Sequence, residues 1–309
     1  MPSTNLDKSA RSKTRQGVLC GLFCYTFWGS FPVFFKALHG ATPLEIVSHR
    51  IFWSLAFLFL LLGFKKQLGT IIAPLKDRST LLTLCGSTLL IATNWLVFIF
   101  AVQRGEVLQS SLGYFMTPLF SVLLGFIFLK ERLNWRQQLS VLLAAIGVLN
   151  LAFHQGQFPW IALVLASSFG FYGLLRKLAK VDATVGLTIE TLLLAPLALA
   201  YILFLGSTQQ GHFLTGTLRL DLLLPLAGVI TAVPLLLFVV AARSLQLTTI
   251  SFLQYITPSL HFLLAIRLYH EPFSANQFIS FLFIWAALGI FSANAIWNNK
   301  TRRQKSWRQ

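Results

Sequence analysis

The chain has 309 residues, of which 56% are hydrophobic and only 11% are charged, and its mean hydropathy is +0.71. Soluble domains carry about 25% charged residues, so this composition argues against a soluble globular enzyme and favours a membrane protein. The formal net charge of +16 would suit a nucleic-acid-binding protein. Here the Lys and Arg residues concentrate in the tails and in alternate loops, as membrane topology requires, and we expect no nucleic-acid partner.

Ten apolar blocks follow one another along the chain, each near the roughly 20 residues that a membrane span needs. The predicted spans are residues 18–36, 44–64, 80–102, 107–129, 135–153, 159–176, 185–205, 222–242, 247–268 and 275–296. The segment from Met1 to Gln16 is polar and basic and lacks a small-residue cleavage site, so we expect no cleaved signal peptide. The longest loop, Gly206 to Asp221, is too short to fold as a soluble domain.

The distribution of Lys and Arg predicts how these spans are oriented. With the N-terminus in the cytoplasm, twenty of the 25 basic residues fall in cytoplasmic segments, which is what the positive-inside rule demands. An even number of spans then places the C-terminus in the cytoplasm as well, in agreement with ten spans.

A stretch that begins at Gly113 recurs in the second half of the chain. The motifs Thr117-Pro118, Glu131 and Gln137 return as Thr257-Pro258, Glu271 and Gln277, always at the same offset along the chain. Matches that keep their register indicate a tandem duplication.

The opening spans of the two halves match in the same way. Trp28-Gly29 and Lys36 return as Phe169-Gly170 and Lys177, at an offset that is longer by a single position. Each half holds five spans, an odd number, so the second copy must be inverted relative to the first. The sequence therefore predicts an all-α integral membrane protein with ten transmembrane helices in two inverted five-helix repeats, with both termini cytoplasmic. Its segments are a basic tail at 1–16, repeats at 17–155 and 156–297, and a second basic tail at 298–309.

Strings of residues along nearly the whole chain resemble those of a known transporter family. They are Tyr25-Thr26-Phe27-Trp28-Gly29, Ser48-His49-Arg50-Ile51-Phe52-Trp53-Ser54, Asn94-Trp95-Leu96-Val97, Ser111-Leu112-Gly113-Tyr114-Phe115, Leu187-Thr188-Ile189-Glu190-Thr191, Thr231-Ala232-Val233-Pro234, Leu253-Gln254-Tyr255-Ile256-Thr257-Pro258 and Glu271-Pro272-Phe273. In this order they are similar to the RarD branch of the EamA-type drug/metabolite transporter superfamily. The resemblance implies the same ten-helix fold, a multi-pass location in the cell inner (plasma) membrane and the movement of small organic solutes, without an agreed substrate.

Charged and titratable side chains inside a span cost free energy and require a reason. Arg50 either snorkels to the interface or points inward as a cation that binds an anionic group of the substrate. His49 is either a packed, hydrogen-bonded histidine or a proton-coupling group, since histidine titrates near neutral pH. Glu190, about five residues inside the seventh predicted span, either holds a neighbouring helix or takes up and releases a proton.

Two other glutamates have structural explanations. Thr42, Pro43 and Glu45 fit a capping box at the start of the second span, in which Glu45 reaches back to the N-cap amide; the alternative is a functional carboxylate at the outer mouth, one turn from His49. Glu131 precedes Asn134, which is followed three residues later by Gln137 and so fits a second capping box. We expect Glu131 to pin the turn between the fourth and fifth spans.

Polar and aromatic residues within the spans complete the candidate site. Asn94 must hydrogen-bond either a neighbouring helix or a substrate, and aromatic residues with polar groups suit a cavity for amphipathic solutes or simply pack. Pro258 and its repeat partner Pro118 each free a backbone carbonyl, and transporters place sites at such discontinuous helices. The predicted substrate site comprises Trp28, Arg50, Asn94, Trp95, Tyr114, Tyr172, Gln254 and Tyr255, with His49 and Glu190 as proton-coupling candidates and no catalytic or metal-binding residue.

These features favour a secondary transporter that works by alternating access, which is common in proteins with inverted repeats, with proton coupling as one option. The sequence has no Walker A, Rossmann, HExxH or GxSxG motif, so we expect no enzyme activity and no cofactor. A lipid or glycolipid flippase of the same fold and, less favoured, an integral-membrane enzyme remain as alternatives. The expected partners are a small-molecule solute and anionic lipid headgroups at the basic tails, and a homodimer is left open.

Overall fold

The computed structural model describes residues 3–38, 40–103, 107–153, 160–214, 218–268 and 275–306, and within these ranges the chain is all-helical. The helices are α1 (Ser3–Gly29), α2 (Phe31–Ala37), α3 (Pro43–Phe64), α4 (Ile72–Lys76), α5 (Arg78–Gln103), α6 (Val107–Leu129), α7 (Trp135–Phe153), α8 (Trp160–Leu178), α9 (Ala183–Ser207), α10 (Leu218–Ser244), α11 (Leu247–Gln254), α12 (Ile256–Arg267) and α13 (Ala275–Ser306). A short 3₁₀ helix covers Leu68–Ile71. Glu271, the predicted repeat equivalent of Glu131, lies outside the described residues.

Every apolar block predicted from the sequence is helical over most of its described length. Six helices of the described chain are long and apolar enough to cross a membrane: Ser12–Phe35, Pro43–Phe64, Arg78–Phe98, Trp160–Leu178, Ala183–Ser207 and Leu218–Ser244. Large apolar side chains also lie on the outside of the bundle, among them Leu82, which is 72% exposed, and Leu197, which is 74% exposed. An apolar exterior of this kind is suited to lipid rather than to water.

Two of the predicted spans are interrupted. The first breaks between Gly29 and Phe31, just before Pro32, and the ninth breaks at Tyr255, just before Pro258. A proline removes the amide that would bond the carbonyl four residues earlier, so Pro258 leaves the carbonyl of Gln254 without its helical partner. Pro118 is expected to weaken its helix in the same way, and α6 nevertheless continues unbroken through that residue.

The helix starts follow their capping sequences closely. Thr42 is the N-cap of α3 and its hydroxyl accepts a hydrogen bond from the amide of Glu45 at 3.3 Å, with Pro43 at the first position. Asn134 and Gln137 exchange two hydrogen bonds of 3.0 Å each, which confirms the predicted capping box of α7. The expectation for the Glu45 side chain is wrong, because its carboxylate binds His212 instead of the N-cap amide.

The most extensive helix contacts all join the first half of the chain with the second. They pair α6 with α8, α7 with α13, α3 with both α9 and α10, α1 with α10, and α5 with α8. The contact between α3 and α10 is close because Gly228 has no side chain. The hydroxyl of Ser54 donates to the Gly228 carbonyl at 2.8 Å across this contact. The two halves therefore share one core rather than forming separate bundles.

Candidate functional site

The centre of the candidate site is the guanidinium group of Arg50, in the third turn of α3. Arg50 is only 7% exposed, and its Nε donates a hydrogen bond of 2.8 Å to the hydroxyl of Thr231 on α10. No carboxylate of the described chain lies within ion-pair distance of it, and its two terminal amino groups bind no described residue. Arg50 is thus a buried cation whose protein partners leave part of its hydrogen-bonding capacity unused.

Aromatic rings from three other helices surround this guanidinium. Its central carbon lies 5.4 Å from the ring centre of Phe35 on α2 and 5.0 Å from that of Trp95 on α5. Tyr114 on α6 is close enough to interact with it electrostatically. Cation–π contacts of this kind hold a guanidinium in place without neutralising its charge. Arg50, Trp95 and Tyr114, three of the predicted site residues, are therefore brought together here.

His49, the neighbour of Arg50, belongs to a contact with the loop between α9 and α10. Its Nδ1 accepts a hydrogen bond of 3.1 Å from the indole of Trp53, and its ring lies 4.9 Å from that of Phe213 in the loop. The neutral ring must then carry its proton on Nε2. Protonation of Nδ1 would break the bond to Trp53, because two donors would face each other.

The same loop holds the carboxylate of Glu45 at the N-terminal end of α3. Glu45 is 1% exposed and accepts hydrogen bonds from the backbone amide of His212 at 2.6 Å and from its Nδ1 at 2.9 Å. We call residues Thr208 to Leu214 the α9–α10 loop. Sequence reasoning missed the roles of His212 and Phe213, and its only signal was that this loop is the longest in the chain.

Glu190 lies in a second polar cluster, between α5, α8 and α9. Its carboxylate is 3.6 Å from Nε of Arg176 and accepts hydrogen bonds from the hydroxyls of Ser87 and, at 3.4 Å, Tyr172. The Arg176 guanidinium also donates to the carbonyl of Ala183 at 3.2 Å. Predicted residues Glu190 and Tyr172 are brought together, and the geometry gives Glu190 the structural partner that the sequence left as an alternative.

Arg176 itself was missed by sequence reasoning, which counted it among the cytoplasmic charges. It is 1% exposed, and the space for it is provided by Gly186 on α9. A Cβ atom at Gly186 would lie 2.8 Å from both Cζ and Nη2 of Arg176, which is closer than real Cβ contacts. The Arg176–Glu190 pair is therefore built into the packing of α8 on α9.

Asn94 and Trp28 serve the packing of helices in this structure. The amide of Asn94 donates to the carbonyl of Leu165 and the hydroxyl of Ser168, both at 3.0 Å, so it binds the neighbouring helix α8. The ring of Trp28 lies 5.6 Å from those of Tyr25 and Phe169 in an aromatic cluster shared by α1 and α8. Neither residue is among the hydrogen-bond or cation–π partners of Arg50 in the described chain.

Gln254 and Tyr255 lie at the break between α11 and α12. The side chain of Gln254 makes no hydrogen bond within the described chain, and the buried hydroxyl of Tyr255 has no partner there. Next to the break, the hydroxyl of Thr257 donates to the carbonyl of Tyr25 on α1 at 2.8 Å. These two predicted residues thus present unused polar groups at an interruption of the helix, separately from the Arg50 group.

At the other end of α10 from the α9–α10 loop, Glu131 ties the two halves together. The N-cap residue of α11, Gln246, makes no side-chain capping bond, and Glu131 supplies one by accepting from the amide of Leu247 at 2.7 Å. Lys177 donates to the carbonyls of Ala242, at 3.1 Å, and Leu245 at the end of α10. Opposite charges therefore complement the helix ends on both sides of the α10–α11 turn.

Comparisons with known proteins agree on one family. The sequence profile of the EamA-like transporter family matches residues 15–153. A protein named Uncharacterized transporter from Vibrio cholerae is 44% identical over 282 residues, covering 91% of this chain and 93% of its own. Protein RarD of Salmonella typhi is 44% identical over 293 residues, covering 95% and 99% of the two chains. Protein RarD of Escherichia coli K12 is 42% identical over 288 residues, covering 93% and 97%.

A solved crystal structure shows the same fold. It superposes with a TM-score of 0.68 over 90% of this chain and 97% of its own, at 16% sequence identity, and likeness at that identity concerns the fold alone. The apolar helices and the relatives together indicate a multi-pass membrane protein. The chain belongs to the EamA-like transporter family, in the branch of the RarD proteins.

Proposed function

We propose that this protein is a secondary transporter of the inner membrane that moves a small organic solute by alternating access between two inverted repeats. In this proposal the termini lie in the cytoplasm, Arg50 lies in the substrate site, and each end of the site is closed by a contact between the two halves. The observation that carries the proposal is this pair of contacts, at Glu45 and at Glu131.

The pattern of helix packing supports the inverted repeat. In the proposed repeat, the equivalent helices are α1 and α8, α3 and α9, α5 and α10, α6 and the pair α11 and α12, and α7 and α13. If each helix is exchanged for its equivalent, the α1–α10 contact becomes the α8–α5 contact. The α6–α8 contact becomes the packing of α11 and α12 on α1. The contacts α3–α9, α6–α11 and α7–α13 map onto themselves. These contacts survive the exchange, whereas α8–α10 has no comparable counterpart between α1 and α5 in the described chain. The contacts that survive favour a pseudo-two-fold axis between the halves. Rocking of such halves exposes a central site to each side in turn.

The two end contacts are the elements that rocking would have to break. One joins Glu45 of the first half to His212 of the second, and we name it the outer latch. The other joins Glu131 of the first half to the amide of Leu247 in the second, and we name it the inner latch. They lie at opposite ends of α10, whose 27 residues measure about 40 Å. Alternating access requires that one latch opens while the other stays closed.

Spin-label distance measurements on Glu45→Gln and Glu131→Gln test this requirement. Labels at Leu44 and Gln210 report on the outer latch, and labels at Arg132 and Gln246 report on the inner one. We expect E45Q, which loses the charge facing His212, to lengthen only the outer distance. E131Q should lengthen only the inner distance, because a ligand or mutation shifts the population towards the state in which the weakened contact is absent. Opening at both ends in one variant, or at neither end in both, would rule out alternating access by these latches.

Proton coupling is a further part of the proposal, with His49 and Glu190 as the candidate proton carriers. His49 contacts Phe213 next to the outer latch, so a change in its charge would act directly on that closure. Glu190 already faces Arg176 and two hydroxyl donors. Its carboxylate would take up a proton only if this cluster rearranged during the transport cycle.

A further inference from the structure

We propose that the ligand of Arg50 is a small organic monoanion, a carboxylate attached to an apolar body. This inference deepens the proposed function by naming its substrate class. It begins from a difference between the two halves of the chain that the repeat makes visible.

The positions of Arg50 and Phe35 have equivalents in the second half. The offset that relates Glu131 to Glu271 also relates Arg50 to Glu190, and the offset that relates Lys36 to Lys177 also relates Phe35 to Arg176. In the second half these positions form the buried Arg176–Glu190 ion pair, with 3.6 Å between the charged groups. In the first half they place Arg50 against the ring of Phe35, 5.4 Å away. The same pair of positions thus balances its charge in one half and leaves one positive charge in the other.

The six carboxylates whose side chains the structure describes are all engaged elsewhere. Glu45 binds His212, Glu131 binds the amide of Leu247, and Glu190 pairs with Arg176. The three aspartates among them accept backbone amides: Asp77 from Thr80, Asp182 from Thr184 and Asp221 from Leu214. A lone charge in a buried site costs several kcal/mol unless it is compensated. Among the carboxylates that the structure describes, none supplies the counter-charge for Arg50, and we infer that it comes from a molecule that enters the site.

The geometry of the group selects the kind of anion. Nε of Arg50 is occupied by Thr231, while the terminal amino groups stay available for a planar acceptor, and carboxylates match a guanidinium in this way. One cation balances one negative charge, which favours a monoanion over a doubly charged phosphate. The rings of Phe35 and Trp95 border the guanidinium and provide an apolar surface for the rest of the ligand.

Thermal unfolding of the purified full-length protein in detergent tests the assignment with defined probes. Sodium benzoate and sodium hexanoate are compared with neutral benzamide and with extra sodium chloride, all at equal ionic strength. We expect the two carboxylates to raise Tm by about 4 °C when present about 100-fold above Kd, and benzamide and chloride to leave it unchanged. In Arg50→Gln the shift should disappear. An equal shift with benzamide or chloride, or a carboxylate shift that survives in R50Q, would overturn the proposal.

A second measurement covers the case in which a variant simply folds badly. Replacing an uncompensated buried charge by an apolar group of similar size removes a cost, so Arg50→Met should have a ligand-free Tm equal to or above that of the wild type. The matched variant Arg176→Met breaks a formed pair and leaves Glu190 without its cation, so its Tm should fall. A fall in Tm for R50M as large as that for R176M would make Arg50 a structural residue and contradict the assignment. Reciprocal opening of the two latches would still stand in that event, so the two proposals fail separately.

Discussion

Glu190 and His49 differ in how readily each could exchange a proton. The carboxylate of Glu190 accepts from two hydroxyls and faces a guanidinium. The Nδ1 atom of His49 accepts one hydrogen bond, from Trp53, and gaining a proton there would break that bond and free the ring from its neighbour. His49 therefore has a direct structural response to protonation, whereas Glu190 first requires its ion pair to separate.

We predict that His49→Gln abolishes proton-gradient-driven uptake into proteoliposomes while leaving ligand binding measurable by thermal shift. The assay follows a labelled carboxylate identified with the Arg50 experiment, at equal and at unequal pH across the membrane. Glu190→Gln is the companion variant. If it also loses gradient dependence, Glu190 carries a proton, and if it keeps that dependence at a lower Tm, Glu190 is structural. Undiminished gradient dependence in both variants would contradict proton coupling through either residue.

The sequence identifies a site residue only where its charged side chain stands alone within an apolar block. Arg50 and Glu190 are charges within apolar blocks, so the cost of burial marks them without any structure. Arg176 and His212 lie at the ends of such blocks, where basic residues and histidines are ordinary, and their pairing depends on which helix end meets which loop. Partners that come from different helices or loops, such as Glu45 and His212, leave no local pattern in the sequence.

Helix breaks show how the same motif can act differently in two places. Thr117-Pro118 and Thr257-Pro258 are equivalent, yet only the second adjoins a break. The hydroxyl of Thr117 donates to the carbonyl of Gly113 in its own helix at 2.7 Å, whereas that of Thr257 donates to α1. Proline removes a backbone hydrogen bond in both cases. Whether the helix then breaks depends on its contacts with the neighbouring helix. The helices themselves follow from hydropathy, but this choice does not.

The contact between α3 and α10 depends on the absence of a side chain at Gly228. A Cβ atom there would lie 2.5 Å from the backbone nitrogen of Ser54, and backbone atoms of a packed helix cannot move aside singly. We predict that Gly228→Ala destabilises the protein by about 1–3 kcal/mol, measured as a drop in Tm in detergent. Gly206→Ala is the control, because nothing lies within 4 Å of its added atom, and a helical Gly→Ala change there is expected to be neutral or slightly stabilising. Equal stability of the two variants would show that α10 can move away from α3 at little cost.

The molecule as a whole places its most extensive contacts between the halves, and this arrangement explains why the chain folds as one body. The first half leaves apolar faces that its own helices do not cover, since the main partners of α1, α3, α5, α6 and α7 all come from the second half. The duplication is readable from the sequence because Thr-Pro, Glu and Gln recur in register. The pairing of the halves is not readable, because it is determined by side-chain fit across the interface.

The proposed inversion of the repeats makes a prediction about the two sides of the membrane. Arg132 and Pro272 follow the equivalent glutamates Glu131 and Glu271, so an inverted repeat places them on opposite sides and a parallel repeat places them on the same side. We predict, from the excess of Lys and Arg in the cytoplasmic segments, that Arg132 is cytoplasmic and Pro272 external. Single-cysteine variants Arg132→Cys and Pro272→Cys, in a chain whose Cys20, Cys24 and Cys85 are replaced by alanine, can be treated with a membrane-impermeant maleimide. In intact cells only P272C should react, and R132C should react after the membrane is permeabilised. Reaction of both variants in intact cells, or of neither, would exclude the inverted arrangement and with it the rocking motion on which the two latches depend.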